Sequence, residues 1–580
     1  MNEVPVGADT DLPAHLTHLR FWPPGVPTSI EPTAQTLWQN LQASAARTPD
    51  KDALIFFGKR ISYSSLLAQA ETLAGWLQHV AGVKCGDRVM LMMQNSPQFV
   101  LASYAILRAE AVVVPVNPMT RALELPHYFS DAELSVAIVG AELADQVVKA
   151  NGLPEGGQLR HLLLAPYADL VPADAGELAP PPAWAEWLAG QPMPPSAGSL
   201  QVTAWSAAMA AAAPAPQPYQ GKPDDHMALC YTSGTTGRPK GCVHTHQTIG
   251  HNVVSGSMWS NVGADAVNLS VVPMFHITGM LYAMHTPIYI GATSVILPRW
   301  DRQLAGRLIS RYQVTHWTNI PTMVIDLLGS PDLDSFDLSS LRQIAGGGAA
   351  MPEAVARRLF EQFGLRYQEG YGLTETAAPT HSNPVHHPKR QCLGIPVIGT
   401  ESRVVDPVTL TELGTGETGE IVVAGPQVFK GYWRNDKATA EAFFELDGKR
   451  FFRTGDLGSR DEEGYYFITD RLKRMINASG FKVWPAEVEN LLYRHPAIQE
   501  ACIIATRDDY RGESVKAVVV LKADAQGTSA EDLITWAREN MAAYKVPRVV
   551  AFVDSLPKSG SGKVMWRALQ EAEMGTASAS

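Results

Sequence analysis

Apolar residues follow two alternating periods in the first part of the chain. Apolar side chains recur at helical spacing over residues 63–80, and residues 97–108 predict a second helix. Nearly continuous apolar runs at 87–93 and 111–116 are typical of buried strands. Strands that alternate with helices in this way predict an α/β fold, with a parallel sheet that is covered by helices on both faces.

The pattern changes further along the chain, and these changes suggest domain boundaries. Proline and alanine dominate residues 167–223, which we interpret as an irregular insertion within the first domain. From about Arg403, short strands separated by glycine turns predict a β subdomain. A further break near Lys473 precedes helices and strands with a small core of their own. We therefore predict a large N-terminal domain, 1–472, of stacked αβ subdomains plus the β subdomain, and a small, mobile α+β C-terminal domain, 473–580.

The most membrane-like segment of the sequence is Gly279–Leu297. It contains His285, Pro287 and Gly291, and it is barely long enough to span a bilayer. We expect a buried strand–turn–strand segment there. No basic region followed by an apolar core occurs near residue 1, so the sequence predicts neither a secretory signal nor a transmembrane segment.

Composition and charge narrow the class of protein. With 580 residues, of which 46% are hydrophobic and 18% charged, the chain is typical of a globular protein of several domains. A net charge of −11 without a long basic run argues against nucleic acid as a partner. The cysteines form no C-x-x-C pair, which excludes a thiolate zinc site and a disulfide framework and predicts a reducing, cytoplasmic location. They are Cys85, Cys230, Cys242, Cys392 and Cys502.

The candidate chemistry centres on Tyr231–Gly241, which reads Y-T-S-G-T-T-G-R-P-K-G and follows an apolar run. Its glycines let successive N–H groups turn toward an anion, while its hydroxyls and cations add further donors. A flexible glycine/serine linker is the alternative, but such linkers rarely follow a buried strand or place a proline, here Pro239, between two cations. The motif G-x-x-x-x-G-K-[ST] does not fit the segment. The residues that we predict to bind a polyphosphate are Thr232, Ser233, Gly234, Thr235, Thr236, Gly237 and Lys240.

Six motifs occur in one order along the chain and carry a family resemblance. They are the loop at 231–241, P-M-F-H-I-T-G at 273–279, Y-G-L-T-E-T at 371–376, F-F-R-T-G-D-L-G at 451–458, D-R-L-K at 470–473 and P-K-S-G-S-G-K-V at 557–564. Together they resemble the adenylate-forming superfamily of acyl-CoA synthetases, adenylation domains and luciferases, and they are most similar to fatty acyl-CoA synthetases. The resemblance covers about residues 35–570.

The resemblance implies a two-step reaction that uses ATP, Mg²⁺ and coenzyme A. A carboxylate attacks the α-phosphate of ATP to give an acyl-adenylate and pyrophosphate; the small domain then rotates, and a thiol displaces AMP. By the same resemblance Thr374 contacts the α-phosphate and Glu375 holds Mg²⁺, a role that suits a carboxylate. Tyr371 would stack on adenine, with Gly348 and Gly370 allowing close approach.

Asp456 and Arg471 match family residues that bind the nucleotide's sugar. Asp456 would accept both ribose hydroxyls, and Arg471 would contact ribose or phosphate. Judged without the family, Asp456 is more simply a turn aspartate that follows Gly455.

The remaining matches fall at the start and near the end of the C-terminal domain. Lys473 lies at the hinge position, and Lys563 would reach the α-phosphate and the carboxylate during adenylation. Ser479 and Gly480 would line the tunnel for the pantetheine arm of coenzyme A. Mobile glycines around one lysine suit a group that enters the site in one domain orientation.

His276 matches the site histidine of the family, although a packed core residue is the alternative for a lone histidine after an apolar run. Small and flexible side chains around it leave room for an extended aliphatic chain. They favour a medium- or long-chain fatty acid as the substrate. The pocket residues implied by the resemblance are Phe275, His276, Gly279, Met280, Ile320, Thr322, Gly346 and Gly347.

Two positions depart from relatives that activate aromatic acids. Glu369, which we count with the nucleotide site, replaces the glutamine that is typical of hydroxycinnamate ligases, and Asn477 replaces their lysine. Both alter polar contacts near the acyl end and argue against an aromatic acid. An aryl- or other carboxylic-acid–CoA ligase stays an alternative.

Two other classes of protein also remain open: an adenylation enzyme that serves a carrier protein, and a silent nucleotide-binding regulator. Amino-acid activators carry an aspartate where this chain has His276, and too few residues follow Lys563 for a carrier domain. A silent relative would be free to lose Thr374, Glu375 or Lys563. The expected partners are a small carboxylic acid, ATP and CoA; a homodimer is compatible with the sequence, which fixes neither oligomeric state nor chain length.

Overall fold

A computed structural model describes residues 13–153, 156–196, 198–232, 239–348, 351–471, 474, 476–478, 481–483, 485–508, 512–541, 545–558 and 564–576. The chain divides into two compact units. The first comprises Met1–Ser402, Val423–Phe452 and Glu463–Tyr465, and the second comprises Arg403–Val422, Arg453–Glu462 and Tyr466–Ser580. Part of the predicted β subdomain is thus grouped with the C-terminal residues, and the domain boundary at 473 stays a prediction.

The strands of the first unit up to residue 396 build two sheets. In chain order they are β1 (Asp52–Phe56), β2 (Lys59–Ser62), β3 (Arg88–Met92), β4 (Val112–Pro115), β5 (Val136–Gly140), β6 (His161–Ala165), β7 (Gln201–Ala204), β8 (His226–Thr232), β9 (Lys240–Thr245), β10 (Val267–Ser270), β11 (Thr293–Ile296), β12 (His316–Asn319), β13 (Gln343–Gly347), β14 (Tyr367–Leu373), β15 (Ala378–Ser382) and β16 (Ile395–Pro396). One sheet has the order β7-β6-β5-β3-β4-β8-β9, and the other has the order β16-β15-β14-β13-β12-β10-β11-β1-β2. Their central pairs are parallel.

Helices cover these sheets, as the alternating apolar periods predict. The α-helices are α1 (Leu37–Arg47), α2 (Tyr63–His79), α3 (Pro97–Arg108), α4 (Leu125–Asp131), α5 (Ala144–Asn151), α6 (Ala185–Ala189), α7 (Trp205–Ala210), α8 (His246–Trp259), α9 (Ile277–Gly279), α10 (Thr286–Ile290), α11 (Arg302–Tyr312), α12 (Pro321–Leu328), α13 (Glu353–Phe363) and α14 (Asp436–Glu441). The predicted α/β fold is confirmed.

Local chemistry explains why α2 and α3 begin where they do. The side chain of Ser62 accepts a hydrogen bond from the amide of Ser65, and that of Ser96 accepts one from the amide of Phe99. Each serine thereby satisfies an N–H group that the first helical turn leaves unpaired. Pro97 adds a fixed φ at the first helical position, where it loses no hydrogen bond.

The prediction of a strand–turn–strand segment over Gly279–Leu297 is wrong. The chain there continues α9 through a π-helix, Met280–His285, into α10, and only then forms β11. Gly291, at φ 78°, ends the helix in a left-handed conformation. Most of the segment is buried, and its half-buried residues Tyr282, Tyr289 and Ile290 are largely apolar, so its pattern does not distinguish a helix from strands.

The segment 167–223 combines irregular chain with short regular elements. It contains α6, α7 and β7, and β7 pairs in parallel with β6. Leu188 and Trp205 are buried in the main hydrophobic core of the first unit. That the segment is an insertion stays a prediction.

The division between the units passes within three strands, namely β17 (Glu401–Val405), β18 (Gly419–Ala424) and β20 (Lys449–Arg460). β19 (Phe443–Leu446) forms a hairpin with the start of β20 in the first unit, and the end of β20 pairs with β21 (Tyr466–Arg471) in the second. These strands agree with the strand-rich texture predicted from about Arg403.

The second unit also has a sheet and helices with a core of their own. Its further elements are β22 (Ile476–Ala478), β23 (Phe481–Val483), α15 (Pro485–Leu492), β24 (Ile498–Asp508), β25 (Gly512–Leu521), α16 (Ala530–Asn540), β26 (Val549–Phe552) and α17 (Trp566–Thr576). β24 and β25 form a long antiparallel pair, and β26 runs parallel to β25. Ile503, Val519 and Leu533 lie in the core of this unit. In the part of the chain that the structure describes, no helix is both long enough and apolar enough to cross a membrane.

Candidate active site

The carboxyl ends of neighbouring parallel strands meet at one edge of the larger sheet. β10, β12, β13 and β14 all run parallel there. His276 follows the end of β10, Gly348 follows β13, and Thr374 follows β14. In open α/β sheets, this edge is where ligands bind. The fold thus brings the segments of three predicted site residues to one side of a single sheet.

Glycines allow close packing of the backbone where β13 and β14 run side by side. A Cβ atom on Gly347 would meet the carbonyl oxygen of Gly370, and one on Gly346 would meet the carbonyl of Asn319 and the hydroxyl of Tyr367. Gly348 has φ 82°, a conformation that favours glycine. Packing of the backbone therefore requires glycine at 346 and 347, whereas close approach of adenine at Gly348 and Gly370 stays a prediction.

Glu375 lies in a tight turn that follows β14. Ala377 and Ala378 have φ values of 51° and 74°, which L-residues rarely adopt. The amide nitrogen of the buried Asn252 side chain donates to the carbonyls of Thr376 and Ala377, at 3.1 and 2.9 Å. These contacts from α8 hold the strained turn and fix the backbone that carries Glu375.

The carboxylate of Glu375 is linked to the end of the phosphate loop through Tyr432. The hydroxyl of Tyr432 donates to Oε1 of Glu375 at 2.9 Å. Nζ of Lys240 lies 4.1 Å from the centroid of the Tyr432 ring, within the range of a cation–π contact. A predicted metal ligand and a predicted phosphate-binding cation therefore share one aromatic neighbour.

Thr374 is positioned through its backbone by a buried histidine. Nε2 of His244 donates to the Thr374 carbonyl at 2.7 Å, and its Nδ1 lies 3.1 Å from Oγ1 of Thr248. Burial lowers the pKa of His244 to about 4, so the ring is neutral near pH 7 and can use one nitrogen as a donor and the other as an acceptor. The Thr374 side chain itself is half-buried.

The two ends of the phosphate loop face each other on β8 and β9. Thr232 is the cross-strand partner of Lys240, and both side chains are half-buried. The Tyr231 hydroxyl donates to the Asp131 carboxylate at 2.5 Å, which fixes the strand that enters the loop. Ser233, Gly234, Thr235, Thr236 and Gly237 lie outside the described residues, and their binding role stays a prediction.

Tyr371 is half-buried and lies beside a histidine that remains neutral. Its ring centroid is 5.7 Å from that of His381, its cross-strand partner, with the two planes tilted by 50°. Burial lowers the pKa of His381 to about 3. An uncharged aromatic environment of this kind is compatible with the predicted stacking on adenine.

Glu369 is almost fully buried, and the backbone is among its partners. Its Oε1 accepts from the Met351 amide at 3.1 Å, and the amides of Gln391 and Cys392 also donate to the carboxyl. Burial raises the pKa of Glu369 to about 7. The hydrogen bonds from the amides lower this pKa, but their effect is smaller than that of burial. The described contacts make Glu369 a brace between chain segments, and its predicted place in the nucleotide site stays a prediction.

His276 has an exposed side chain at the N-terminus of α9. Its Nδ1 accepts a hydrogen bond from the amide of Thr278 at 3.3 Å. Phe275 beside it is half-buried, whereas Met280 is buried. The alternative that His276 is a packed core residue is therefore wrong. An exposed imidazole at the carboxyl edge of the sheet is accessible to a ligand.

Asp456 and Arg471 lie in the second unit, where they are cross-strand partners on β20 and β21. Asp456 is fully buried, and its amide donates to Oγ1 of Thr454 at 3.0 Å. Gly455 before it has φ 70°. Lys473, Ser479, Gly480 and Lys563 fall outside the described residues, so their roles stay predictions.

Tyr432, His244 and Asn252 are positioning residues that the sequence reasoning missed. Each acts across a long sequence separation, and no local spacing marks it. Tyr432 occurs in an aromatic segment, F-K-G-Y-W at 429–433, which could have signalled a packed contact without revealing its partner.

The carboxylate of Glu375 is a ligand of the type that Mg²⁺ prefers. Among the residues that the structure describes, no cluster of three or more histidine, cysteine or acidic side chains could hold a metal ion. Mg²⁺ is commonly bound by one or two carboxylates together with substrate phosphates and water. Glu375, near a predicted phosphate-binding cation, fits that mode of binding.

Comparisons with known proteins identify the family of the chain. The family described as AMP-binding enzyme matches residues 41–433, and the AMP-binding enzyme C-terminal domain matches residues 487–563. The chain is 35% identical to a long-chain-fatty-acid–CoA ligase of Bacillus subtilis, over 96% of this chain and 98% of that protein. It is 34% identical to a feruloyl-CoA synthase of Amycolatopsis sp, over 90% of this chain and 96% of that protein.

A solved structure extends the similarity to three dimensions. The crystal structure of ATP-bound MatB from Rhodopseudomonas palustris matches with a TM-score of 0.77 and 28% identity, covering 93% of this chain and 99% of that chain. The resemblance predicted from the six motifs is confirmed, and the chain belongs to the family of AMP-binding enzymes.

Proposed function

We propose that the protein is an ATP-dependent, AMP-forming acyl-CoA ligase whose acid is a medium- or long-chain fatty acid. The observation that carries the proposal is the link from the Glu375 carboxylate through Tyr432 to Lys240, at the edge where β13 and β14 end. It sets a carboxylate for Mg²⁺ and a cation for phosphate in one fixed arrangement. The similarity to the Bacillus ligase over nearly the whole chain supports the same reaction.

In the first half-reaction, a carboxylate oxygen of the acid attacks the α-phosphorus of ATP, and the bond to pyrophosphate breaks. Lys240 and the loop before it bind the β- and γ-phosphates, while Thr374 contacts the α-phosphate. Glu375 would hold Mg²⁺, which would supply positive charge against the phosphate oxygens. His276 orients the incoming carboxylate, and Lys563 reaches the α-phosphate from the C-terminal domain.

In the second half-reaction, the thiol of coenzyme A loses its proton and attacks the acyl carbonyl carbon. The C–O bond of the acyl-adenylate then breaks, and AMP leaves with the oxygen that came from the carboxylate. The C-terminal domain rotates about Lys473 between the steps, and the pantetheine arm passes Ser479 and Gly480. Asp456 and Arg471 bind the ribose. The cytoplasmic location and a homodimer stay predictions.

The choice of a fatty acid as the substrate rests on the residues that are predicted to line the acyl pocket. Met280 is buried, and its flexible side chain can adapt to an aliphatic chain. The carboxyl of Glu369 is engaged by backbone amides, which argues against its use as a contact to a substrate phenol. The similarity to a feruloyl-CoA synthase keeps an aromatic acid as the competing substrate.

A substrate panel tests the proposal. Purified protein is incubated with ATP, Mg²⁺, CoA and, in turn, straight-chain acids of increasing length, ferulate, benzoate and amino acids, and both AMP and thioester are measured. We expect the highest kcat/KM with medium- or long-chain fatty acids and equal amounts of AMP and acyl-CoA. A preference for ferulate would overturn the fatty-acid assignment, and AMP release without a thioester would overturn the ligase assignment.

Glu375→Gln provides the control for the first half-reaction. The substitution keeps the shape of the side chain and removes its charge. We expect the pyrophosphate exchange rate to fall by about 10²-fold, in line with the loss of one preorganised electrostatic contact, and the Mg²⁺ requirement to rise. An unchanged Mg²⁺ titration would rule out Glu375 as the metal ligand.

A further inference from the structure

Tyr432 contacts both charged groups of the candidate phosphate and metal site, yet it belongs to none of the six motifs. Its hydroxyl donates to Glu375 at 2.9 Å, and its ring lies 4.1 Å below the ammonium group of Lys240. We propose that Tyr432 is a positioning residue that holds Glu375 and Lys240 in one fixed arrangement for Mg·ATP. The inference rests on the proposed roles of Glu375 and Lys240.

The backbone around Tyr432 is fixed on both of the sides that it connects. The amide of Phe429 donates to the Glu375 carbonyl at 2.8 Å, which joins this segment to the turn after β14. The amide of Trp433 donates to the Gly241 carbonyl at 2.7 Å, which joins the same segment to β9. Tyr432 also forms an isolated antiparallel bridge with Cys242. A ring anchored in this way cannot follow either partner independently.

The local chemistry allows Tyr432 to act only as a donor toward Glu375. The phenol hydroxyl has one proton, which it donates to the carboxylate, and a carboxylate oxygen can only accept. A hydrogen bond to a carboxylate is of the stronger, charge-assisted kind. The electron-rich face of the same ring attracts the Lys240 ammonium group.

This arrangement couples two groups that come from distant parts of the chain. Lys240 begins β9, whereas Glu375 follows β14, which belongs to the other sheet. Preorganised charges are effective because they need not be reoriented when the substrate arrives. Without the phenol, each side chain would have to be ordered separately upon binding of Mg·ATP.

Tyr432→Phe removes the hydroxyl and keeps the ring, so it separates the two contacts. We expect the Mg²⁺ concentration for half-maximal pyrophosphate exchange to rise by about tenfold, the loss typical of a hydrogen bond to a charged group. The CoA-dependent step from supplied acyl-AMP should remain at the wild-type rate, since it needs no Mg·ATP. Tyr432→Met removes the ring as well and should also raise the KM for ATP.

Tyr167→Phe is a matched control on the same chain. The Tyr167 hydroxyl also donates to a half-buried glutamate, Glu142, at 2.9 Å, but neither residue belongs to the candidate site. This variant should lose stability without changing the Mg²⁺ titration. A merely structural role for Tyr432 would give the same result in Tyr432→Phe.

A double-mutant cycle distinguishes failure of this inference from failure of the proposed function. If Tyr432 acts through Glu375, adding Tyr432→Phe to Glu375→Gln should shift the Mg²⁺ titration no further. A shift in Glu375→Gln with none in folded Tyr432→Phe or Tyr432→Met would overturn the inference alone. No shift in Glu375→Gln would overturn the metal-binding role on which the inference rests.

Discussion

Replacing Glu369 by glutamine should remove a pH dependence from the stability of the first unit. Glu369 is 9% exposed, and its Oε1 accepts from the Met351 amide at 3.1 Å. Burial raises its pKa from 4.5 to about 7 in the folded protein, in spite of the amides that donate to it. Glutamine keeps an acceptor oxygen for the Met351 amide but carries no titratable proton.

The sign and size of the effect follow from proton linkage. Between pH 4.5 and about 7, the unfolded chain has lost the Glu369 proton while the folded chain still holds it. The free energy of unfolding must therefore fall as the pH rises through this window and level off above it. A pKa difference of this size corresponds to about 3 kcal/mol, which is an upper bound for the whole window. The contribution is fully present below about pH 4.5.

Denaturant unfolding at several pH values between 5 and 8 would measure the effect. We expect Glu369→Gln and the wild type to have similar stability at pH 5, and the variant to gain relative to the wild type by up to about 3 kcal/mol at pH 8. Glu142→Gln is a useful companion, because burial also raises the pKa of Glu142 to about 7, in a different part of the unit. The two effects should add.

A difference between Glu369→Gln and the wild type that is constant from pH 5 to pH 8 would refute this reasoning. It would mean that the carboxyl is already ionised at pH 5, so that the backbone amides outweigh the cost of burial. Loss of nucleotide affinity in Glu369→Gln would be a separate result, and it would support the predicted place of Glu369 in the nucleotide site.

Three further predictions concern individual positions. His276→Ala should leave the melting temperature unchanged, because the side chain is exposed, and should lower the rate of acid-dependent pyrophosphate exchange. A lower melting temperature with a full rate of exchange would contradict the role of His276 in orienting the acid. Gly347→Ala should destabilise the first unit by about 1–3 kcal/mol in denaturant unfolding, because its Cβ would meet a backbone carbonyl, whereas Gly527→Ala, which meets nothing, should be neutral. Lys563→Ala should lose acyl-adenylate formation but use supplied acyl-AMP, and Gly480→Leu should do the reverse; equal loss of both steps in either folded variant would argue against domain alternation.

The fold followed from the sequence wherever local chemistry and periodicity agreed. The helix predicted over 97–108 is observed as Pro97–Arg108, because Ser96 caps it and Pro97 suits its first position. The strands predicted at 87–93 and 111–116 are observed as Arg88–Met92 and Val112–Pro115. Agreement between propensity, capping and burial pattern is what makes such elements predictable.

The segment Gly279–Leu297 could not be predicted in this way. Most of its residues are buried, so no polar face reveals a helical period. Pro287 is compatible both with the end of a strand and with the start of α10. The segment 167–223 is a second example. There, β7 forms because β6 offers an edge, a tertiary fact that its proline- and alanine-rich composition does not carry.

The same distinction between local and non-local information applies to the candidate site. The groups that do the chemistry lie within short motifs, because loops at the ends of strands supply them, and those motifs were legible in the sequence. The contacts that fix their geometry come from far along the chain: Tyr432 reaches Glu375 across 57 residues, Asn252 reaches Thr376 across 124, and His244 reaches Thr374 across 130. Two of the three hold backbone carbonyls, so the identity of the residue that is held gives no clue to the residue that holds it. The contacts that position the predicted site residues therefore depend on the tertiary packing of the chain. The Tyr432 variants measure how strongly one of these contacts affects the Mg²⁺ dependence of the reaction.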